Sequence, residues 1–223
     1  MYGKKVILAD RDYVEKNVED MLVEAKTKDI AFLVVGDPFG ATTHSDLVLR
    51  AMEENVPYRI VHNASILNAI GCTGLQLYNF GQTVSIVFFE ETWKPESFYD
   101  KIKKNLEVGM HTLCLLDIKV KEQTIENMMK GNQVFEPPRF MTIRQALLQI
   151  LEVAEKRQET MLSKDSLGVG VARVGSANQQ IGFGSFEDLM ETDFGTPLHS
   201  LIIPAKLHEM EISFLTHFKC EKK

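Results

Sequence analysis

Val34-Val35-Gly36-Asp37-Pro38-Phe39-Gly40-Ala41-Thr42-Thr43-His44 is the stretch on which the reading of this chain turns. The run from Ile30 to Val35 that leads into it is apolar throughout, as expected of a strand covered on both faces. Gly36 and Gly40 permit a sharp turn and a close backbone approach, and Pro38 stiffens the loop between them. An amphipathic helix carrying Leu47, Val48, Ala51 and Met52 comes next. A strand, a glycine loop and then a helix is the arrangement at which open α/β sheets bind ligands.

Outward from this loop, short apolar runs alternate with amphipathic segments. That is the pattern of a mostly parallel sheet flanked by helices. Val6 to Ala9 reads as a strand, and Asp10 can cap a helix whose apolar face is Val14, Val18, Met21, Leu22 and Ala25. A strand is predicted around Tyr58 to His62, a helical span over Ser65 to Thr73, and a buried strand over Ser85 to Phe89. A polar helix from about Glu96 to Glu107 leads to Gly109, where the pattern changes. The expected architecture is two α/β domains, a parallel-sheet domain over residues 1–110 and a mixed-sheet domain over 111–223. In the second, Thr112 to Val120 reads as a strand and Glu122 to Lys130 as a short helix, with a rigid connector through Pro137 and Pro138. Thr142 can cap a helix with Ile143, Ala146, Leu147, Ile150, Leu151 and Ala154 along one face. Strands follow at Gly168 to Val174, Gln180 to Phe183 and Ser200 to Ile203, with a short helix near Phe186 to Met190 and a closing helix over Leu207 to Phe218.

The 223 residues are enough for a substantial core, with 44% hydrophobic and 25% charged side chains. A net charge of −6 argues against bare nucleic acid as partner and fits a partner or cofactor carrying positive charge. Cys72, Cys114 and Cys220 are scattered and odd in number, so neither a disulfide framework nor a metal site is expected. Cys114 sits in an apolar run and reads as a packing residue. No stretch reads as a signal peptide or a membrane span, and a reducing, cytosolic setting is the expectation.

Two readings of Asp37 stand side by side: a carboxylate offered to a ligand's amine or hydroxyl, or a cap in a plain strand-to-helix turn. Ser65, in His62-Asn63-Ala64-Ser65-Ile66, is either an ordinary helix cap or part of a small anion site at a helix start. Arg173, in Val169-Gly170-Val171-Ala172-Arg173-Val174-Gly175, reads as a solvated strand arginine or as the partner of a carboxylate. His199 opens an apolar strand, a place where histidines are more often structural than catalytic. On the residues alone the chain is an α/β protein with a small-molecule cleft between two domains.

Read together, Phe32 to His44, His62 to Ile66, His111-Thr112-Leu113-Cys114-Leu115-Leu116-Asp117-Ile118-Lys119-Val120 and Glu136-Pro137-Pro138-Arg139 resemble the eukaryotic branch of the diphthine synthase family. The resemblance spans nearly the whole chain and implies a tetrapyrrole-methylase-like fold in a two-domain homodimer. It also implies S-adenosylmethionine as cofactor, and as substrate elongation factor 2 bearing an aminocarboxypropyl group on one histidine. Methyl groups are expected on the amine and on the carboxylate. By the same resemblance Asp37, Gly40, Ser65, Ile66, Leu116, Val171 and His199 are cofactor-binding positions. No general base is expected, since the sequence offers no pair of groups that demands one. A cytoplasmic setting is implied, with no nucleic acid and no membrane. Two other readings stand beside it: a binding or scaffold variant that has lost cofactor affinity, and a superfamily enzyme acting on a small tetrapyrrole.

Family members begin with an additional strand and a glycine-rich loop of the Leu-Gly-x-Gly type, whereas this chain opens at Met1-Tyr2-Gly3 in what resembles the second strand. A missing central strand loosens the frame around the cofactor loops, and a misplacement of about 1 Å costs on the order of a hundredfold in rate. The resemblance therefore predicts weak or no methyl transfer by the chain as written. A form with the family's first strand and loop is expected to be active and to melt at a higher temperature. Mass spectrometry of methyl incorporation into unmethylated elongation factor compares the two, and equal activity would show the upstream strand to be dispensable.

Overall fold

A computed structural model describes residues 3–220. The expectation that the chain opens within a strand falls partly on Met1 and Tyr2, which lie outside the described residues. Two compact units are present, Met1–Leu67 and Asn68–Lys223.

In the first unit, Asp10 starts helix α1 (Arg11–Ala25) as expected: its side chain accepts the Tyr13 N–H at 2.7 Å. That bond satisfies one of the amides a helix start leaves without a partner. The stripe spaced at three and four residues turns inward, so Val18 and Leu22 are buried with Ala51 and Val56. Ala51 comes from α2 (Ser45–Glu53). On the surface Lys26 and Glu54 form an ion pair at 2.7 Å.

The predicted strands at Val6 to Ala9, Ile30 to Val35 and Tyr58 to His62 are not formed: among the described residues of this unit none has a ladder partner. Val35, expected to be covered on both faces, is fully exposed, and Leu8 is 91% exposed. Apolar and β-branched residues favour extended backbone, but a strand is a property of a pair. The chain then runs through α3 (Ile66–Ala69) and a 3-10 turn (Ile70–Thr73), inside the predicted helical span.

In the second unit β1 (Val84–Ile86) is followed by α4 (Ser97–Glu107) and β2 (Thr112–Leu116). The strand predicted through Val120 breaks at Asp117, whose carboxylate accepts the N–H groups of Phe88 (3.0 Å) and Ile118 (2.9 Å). A two-stranded ladder, β3 (Ile118–Lys119) with β4 (Arg139–Phe140), branches off there and encloses α5 (Ile125–Met129). Next come α6 (Ile143–Arg157), β5 (Leu167–Ala172), β6 (Gln180–Ser185), α7 (Phe186–Glu191), β7 (His199–Ile203) and α8 (Glu209–Leu215). The sheet order is β1-β2-β7-β5-β6, with β1–β2 parallel and every other pair antiparallel. It is the mixed sheet the glycine-separated strands predicted. β1, on the N-terminal side of Gly109, is hydrogen-bonded into the same sheet as β2 beyond it.

Thr142 caps α6 with a reciprocal Gln145 bond, and the predicted face carries Ile143, Ala146, Leu147, Ile150 and Ala154 into the core against Ile86, Leu201 and Ile203. Gly170 on β5 permits this packing. A Cβ there would lie 2.5 Å from Phe194 Cζ and 2.8 Å from Ile143 Cδ1.

A buried polar pair ties α8 to β2's approach. His111 and Glu211 are both fully buried, with Nε2 to Oε1 at 3.2 Å. His111 Nδ1 accepts the Ala205 N–H at 3.0 Å, so Nε2 carries the proton given to Glu211. Glu211 also accepts the N–H groups of Gln76 (2.9 Å) and His208 (2.8 Å). Burial pushes the Glu211 carboxyl up, but those two amides and His111 together hold it below the usual carboxylate range. A depressed carboxyl stabilises the fold above its unfolded-state value and loses that contribution as pH falls through the folded value. Glu211→Ala leaves three donors unpaired in the interior and is expected to cost about 3–5 kcal/mol. Denaturant unfolding should also show a flatter acid limb in the variant, and an unchanged midpoint would remove Glu211 from the list of structural determinants.

Candidate functional site

Within the first unit the loop carrying Gly36 to His44 is held against the segment His62 to Ile66 by one carboxylate. Asp37 Oδ1 accepts the Phe39 N–H at 2.8 Å, while Oδ2 accepts from Asn63 N at 3.0 Å and from His62 Nδ1 at 2.9 Å. The Asp37 side chain is only 15% exposed. The Phe39 amide, then the Asn63 amide and His62, hold its carboxyl down from 3.8 to about 2 against an opposing effect of burial. Gly40 is the point of closest approach: a Cβ there would sit 2.4 Å from Ser65 Cβ and 2.7 Å from Ser65 Oγ. Gly36 has φ +92°, a region that favours glycine. The loop closes with Thr42 Oγ1 donating to Pro38 O at 2.5 Å and the His44 ring at 2.9 Å from the same oxygen. Asp37, Gly40, Ser65 and Ile66 are thus brought together.

The other three predicted positions meet in the second unit, at one end of three adjacent strands. Leu116 ends β2 opposite Ile86, and Leu115 pairs with Ser200 on β7. Across β7, His199 is paired with Ala172 and Ser200 with Val171. Leu116 and Val171 are buried apolar side chains. His199 Nε2 donates to Thr196 O at 3.1 Å, which leaves Nδ1 as an acceptor, buried and without a hydrogen-bond partner among the described residues. Burial lowers the His199 pKa against three raising backbone contacts. The ring faces Phe194 at 6.1 Å and lines a cavity of about 290 Å³ with Phe194, Gly195, Asp193, Thr192 and Met190. An orphaned buried acceptor asks for a donor such as a ligand amine or hydroxyl.

Arg173 fits neither of its predicted roles. With φ +51° it turns its guanidinium onto backbone carbonyls: Nε donates to Asn178 O at 3.0 Å, and Nη1 to Phe194 O at 2.7 Å and to Thr196 O. It is a clamp on the loop that delivers His199. His62 opens the segment His62 to Ile66, and its pairing with Asp37 across 25 positions has no local sequence signal. Cys114 is fully buried, as a packing residue should be, and burial pushes its thiol well up. Among the described residues no group of three or more His, Cys, Asp or Glu is placed to hold a metal, and no helix is long and apolar enough to cross a membrane.

With this geometry in place, comparison with known proteins gives a consistent result. The family of Tetrapyrrole (Corrin/Porphyrin) Methylases matches residues 3–189. Diphthine methyl ester synthase of Dictyostelium discoideum is 56% identical over 99% of this chain and 81% of its own length. The Homo sapiens protein of the same name is 55% identical over 97% and 78%. A crystal structure assigned as diphthine synthase from Entamoeba histolytica superposes with a TM-score of 0.85 at 48% identity, covering 99% of this chain and 80% of that one. On these matches the chain belongs to the tetrapyrrole methylase family and, within it, to the diphthine methyl ester synthases. It is a methyltransferase of diphthamide biosynthesis.

The Asp37 clasp yields a direct test. Its contribution is complete above the ordinary carboxylate range and is lost as pH falls toward about 2. The Asp37 carboxyl carbon should titrate in NMR with a midpoint near about 2. Asp37→Asn, which puts a donor where donors converge, should accelerate exchange of the Phe39 and Asn63 amides at least about tenfold, the loss of one hydrogen bond. Unaltered exchange would mean the loops are joined by something else.

Proposed function

We propose that the chain methylates the aminocarboxypropyl-modified histidine of elongation factor 2, on the amine and on the carboxylate, with S-adenosylmethionine as methyl donor. The observation that carries this reading is identity of 53–58% with proteins named diphthine methyl ester synthase over nearly the whole chain. None of the curated relatives cited supports a non-catalytic scaffold.

The residues present fit the donor. A sulfonium compound with an adenosine moiety offers a positive charge, hydroxyls, an amine and an apolar ring face. Asp37, held ionised, supplies negative charge on the first loop. Gly40 and Ser65 supply a tight turn in the first unit, while in the second Leu116 and Val171 are apolar and His199 Nδ1 is an acceptor without a donor among the described residues. Asp37, Gly40, Ser65, Ile66, Leu116, Val171 and His199 are therefore the proposed cofactor-binding set. When bound, the donor supplies an already activated methyl group, and the work left to this chain is alignment. A soluble cytoplasmic homodimer that binds neither membrane nor nucleic acid completes the proposal, in keeping with the net charge of −6.

Calorimetry with S-adenosylmethionine and with its demethylated product tests the site. Gly40→Ala drives a methyl group into Ser65, so affinity should fall at least about tenfold, as expected when close packing is forced apart by 1–3 kcal/mol. His199→Phe should weaken both ligands as well, by removing the acceptor while keeping the ring's bulk. Undiminished affinity in both variants would refute the assignment. Light scattering should give a mass near twice the 25.3 kDa chain.

A further inference from the structure

Methylation of an amine and of a carboxylate differ in one proton. A carboxylate attacks as it stands. An amine reaches the enzyme largely as an ammonium, has no lone pair in that form, and emerges from each transfer as an ammonium that must lose a proton before the next, until the nitrogen is quaternary. A chain that methylates both needs a proton acceptor for one and none for the other. That need rests on the reading given under Proposed function.

The first unit contains a group suited to it. The Asp37 carboxylate accepts from His62 Nδ1 at 2.9 Å, so Nδ1 bears the proton and Nε2 of the neutral ring holds the lone pair. The Asp37 carboxylate is fixed by two backbone amides, whereas the His62 side chain is 71% exposed. Phe39 flanks the ring at 6.2 Å between centroids. Nε2 has no hydrogen-bond partner among the described residues. A carboxylate that orients an imidazole at one nitrogen and leaves the other open is the arrangement by which histidine serves as general base. The two partners sit three residues from Gly40 and three from Ser65, on both of the loops assigned to the donor.

We propose that His62, oriented by Asp37, is the general base for N-methylation. The substrate ammonium gives a proton to His62 Nε2: its N–H bond breaks, the new Nε2–H bond forms, and the imidazolium stays paired with Asp37. The freed amine lone pair then forms the N–C bond while the C–S bond of the sulfonium breaks and its electrons remain on sulfur. His62 returns the proton to water before the next transfer. Ester formation bypasses His62.

The test compares His62→Gln and His62→Ala with the unsubstituted full chain, using elongation factor carrying the unmethylated intermediate and enzyme in excess, so that slow transfer is still read. Mass spectrometry separates N-methyl from ester products, calorimetry follows S-adenosylmethionine binding, and 15N NMR reads the His62 tautomer. N-methylation should slow by about 10²–10⁴-fold, the usual worth of a general base, with ester formation far less affected and donor affinity within about twofold. Added imidazole should restore N-methylation in His62→Ala. The unsubstituted ring should be protonated at Nδ1, and Asp37→Asn should abolish that preference. Equal loss of both products, unchanged N-methylation, or a ring protonated at Nε2 each overturns the proposal. Failure of the unsubstituted chain to bind S-adenosylmethionine would instead sink the donor-site reading, and the base with it.

Discussion

A carboxylate has about four positions at which it accepts hydrogen bonds, and Asp37 gives three of them to its own chain. This one group determines where the loop after Val35 lies relative to the segment after Val61. The three donors converge on a carboxylate whose pKa they hold down at about 2, so it stays ionised well below neutral pH. Gly40 and Ser65 then approach to a separation that no side chain at position 40 tolerates. Both features act in the same direction, since the carboxylate draws the loops together and the missing Cβ lets them meet. The result is a preorganised corner built by residues that carry little secondary structure, and such a corner is what a ligand that supplies its own reactivity requires.

In the second unit the corresponding constraint is the antiparallel insertion of β7 between β2 and β5. It aligns Leu116, His199 and Val171 at one sheet end, although they are distant in sequence. Arg173 extends the same effect into the loop before β7, holding Phe194 O and Thr196 O with one guanidinium nitrogen. The carbonyl that orients the His199 ring, Thr196 O, is one of those the arginine fixes. Arg173 therefore governs, through Thr196 O, which His199 nitrogen is left open.

How much of this was legible in the sequence depends on the range of the interaction. Helix starts at Asp10 and Thr142 were readable because a cap acts over three residues. The strands of the five-stranded sheet are readable as apolar runs and each finds a neighbour, whereas β4 falls where a rigid connector is expected. The runs at Val6, Ile30 and Tyr58 carry the same composition without a partner among the described residues, and composition alone cannot reveal a missing neighbour. The seven positions proposed for the cofactor follow from resemblance, not from spacing. Pairings over long separations stayed invisible: Asp37 with His62, His111 with Glu211, and Arg173 with the carbonyls near Phe194. Each depends on where the fold returns the chain.

Asp37 acts within its own chain at two ranges. Among local amides it accepts only that of Phe39, while the Asn63 amide it also accepts lies 26 positions away. As a ligand contact it should present free acceptor capacity, and one position of about four remains. The structural role uses most of the group. A substitution at Asp37 perturbs the loop pair before it perturbs any bond to a ligand, so loss of binding in an Asp37 variant is weak evidence for direct contact. Gly40 and Ser65 are the better probes of the corner's shape. Electrostatics follow the same logic: an ionised carboxylate surrounded by its own donors still projects net negative charge.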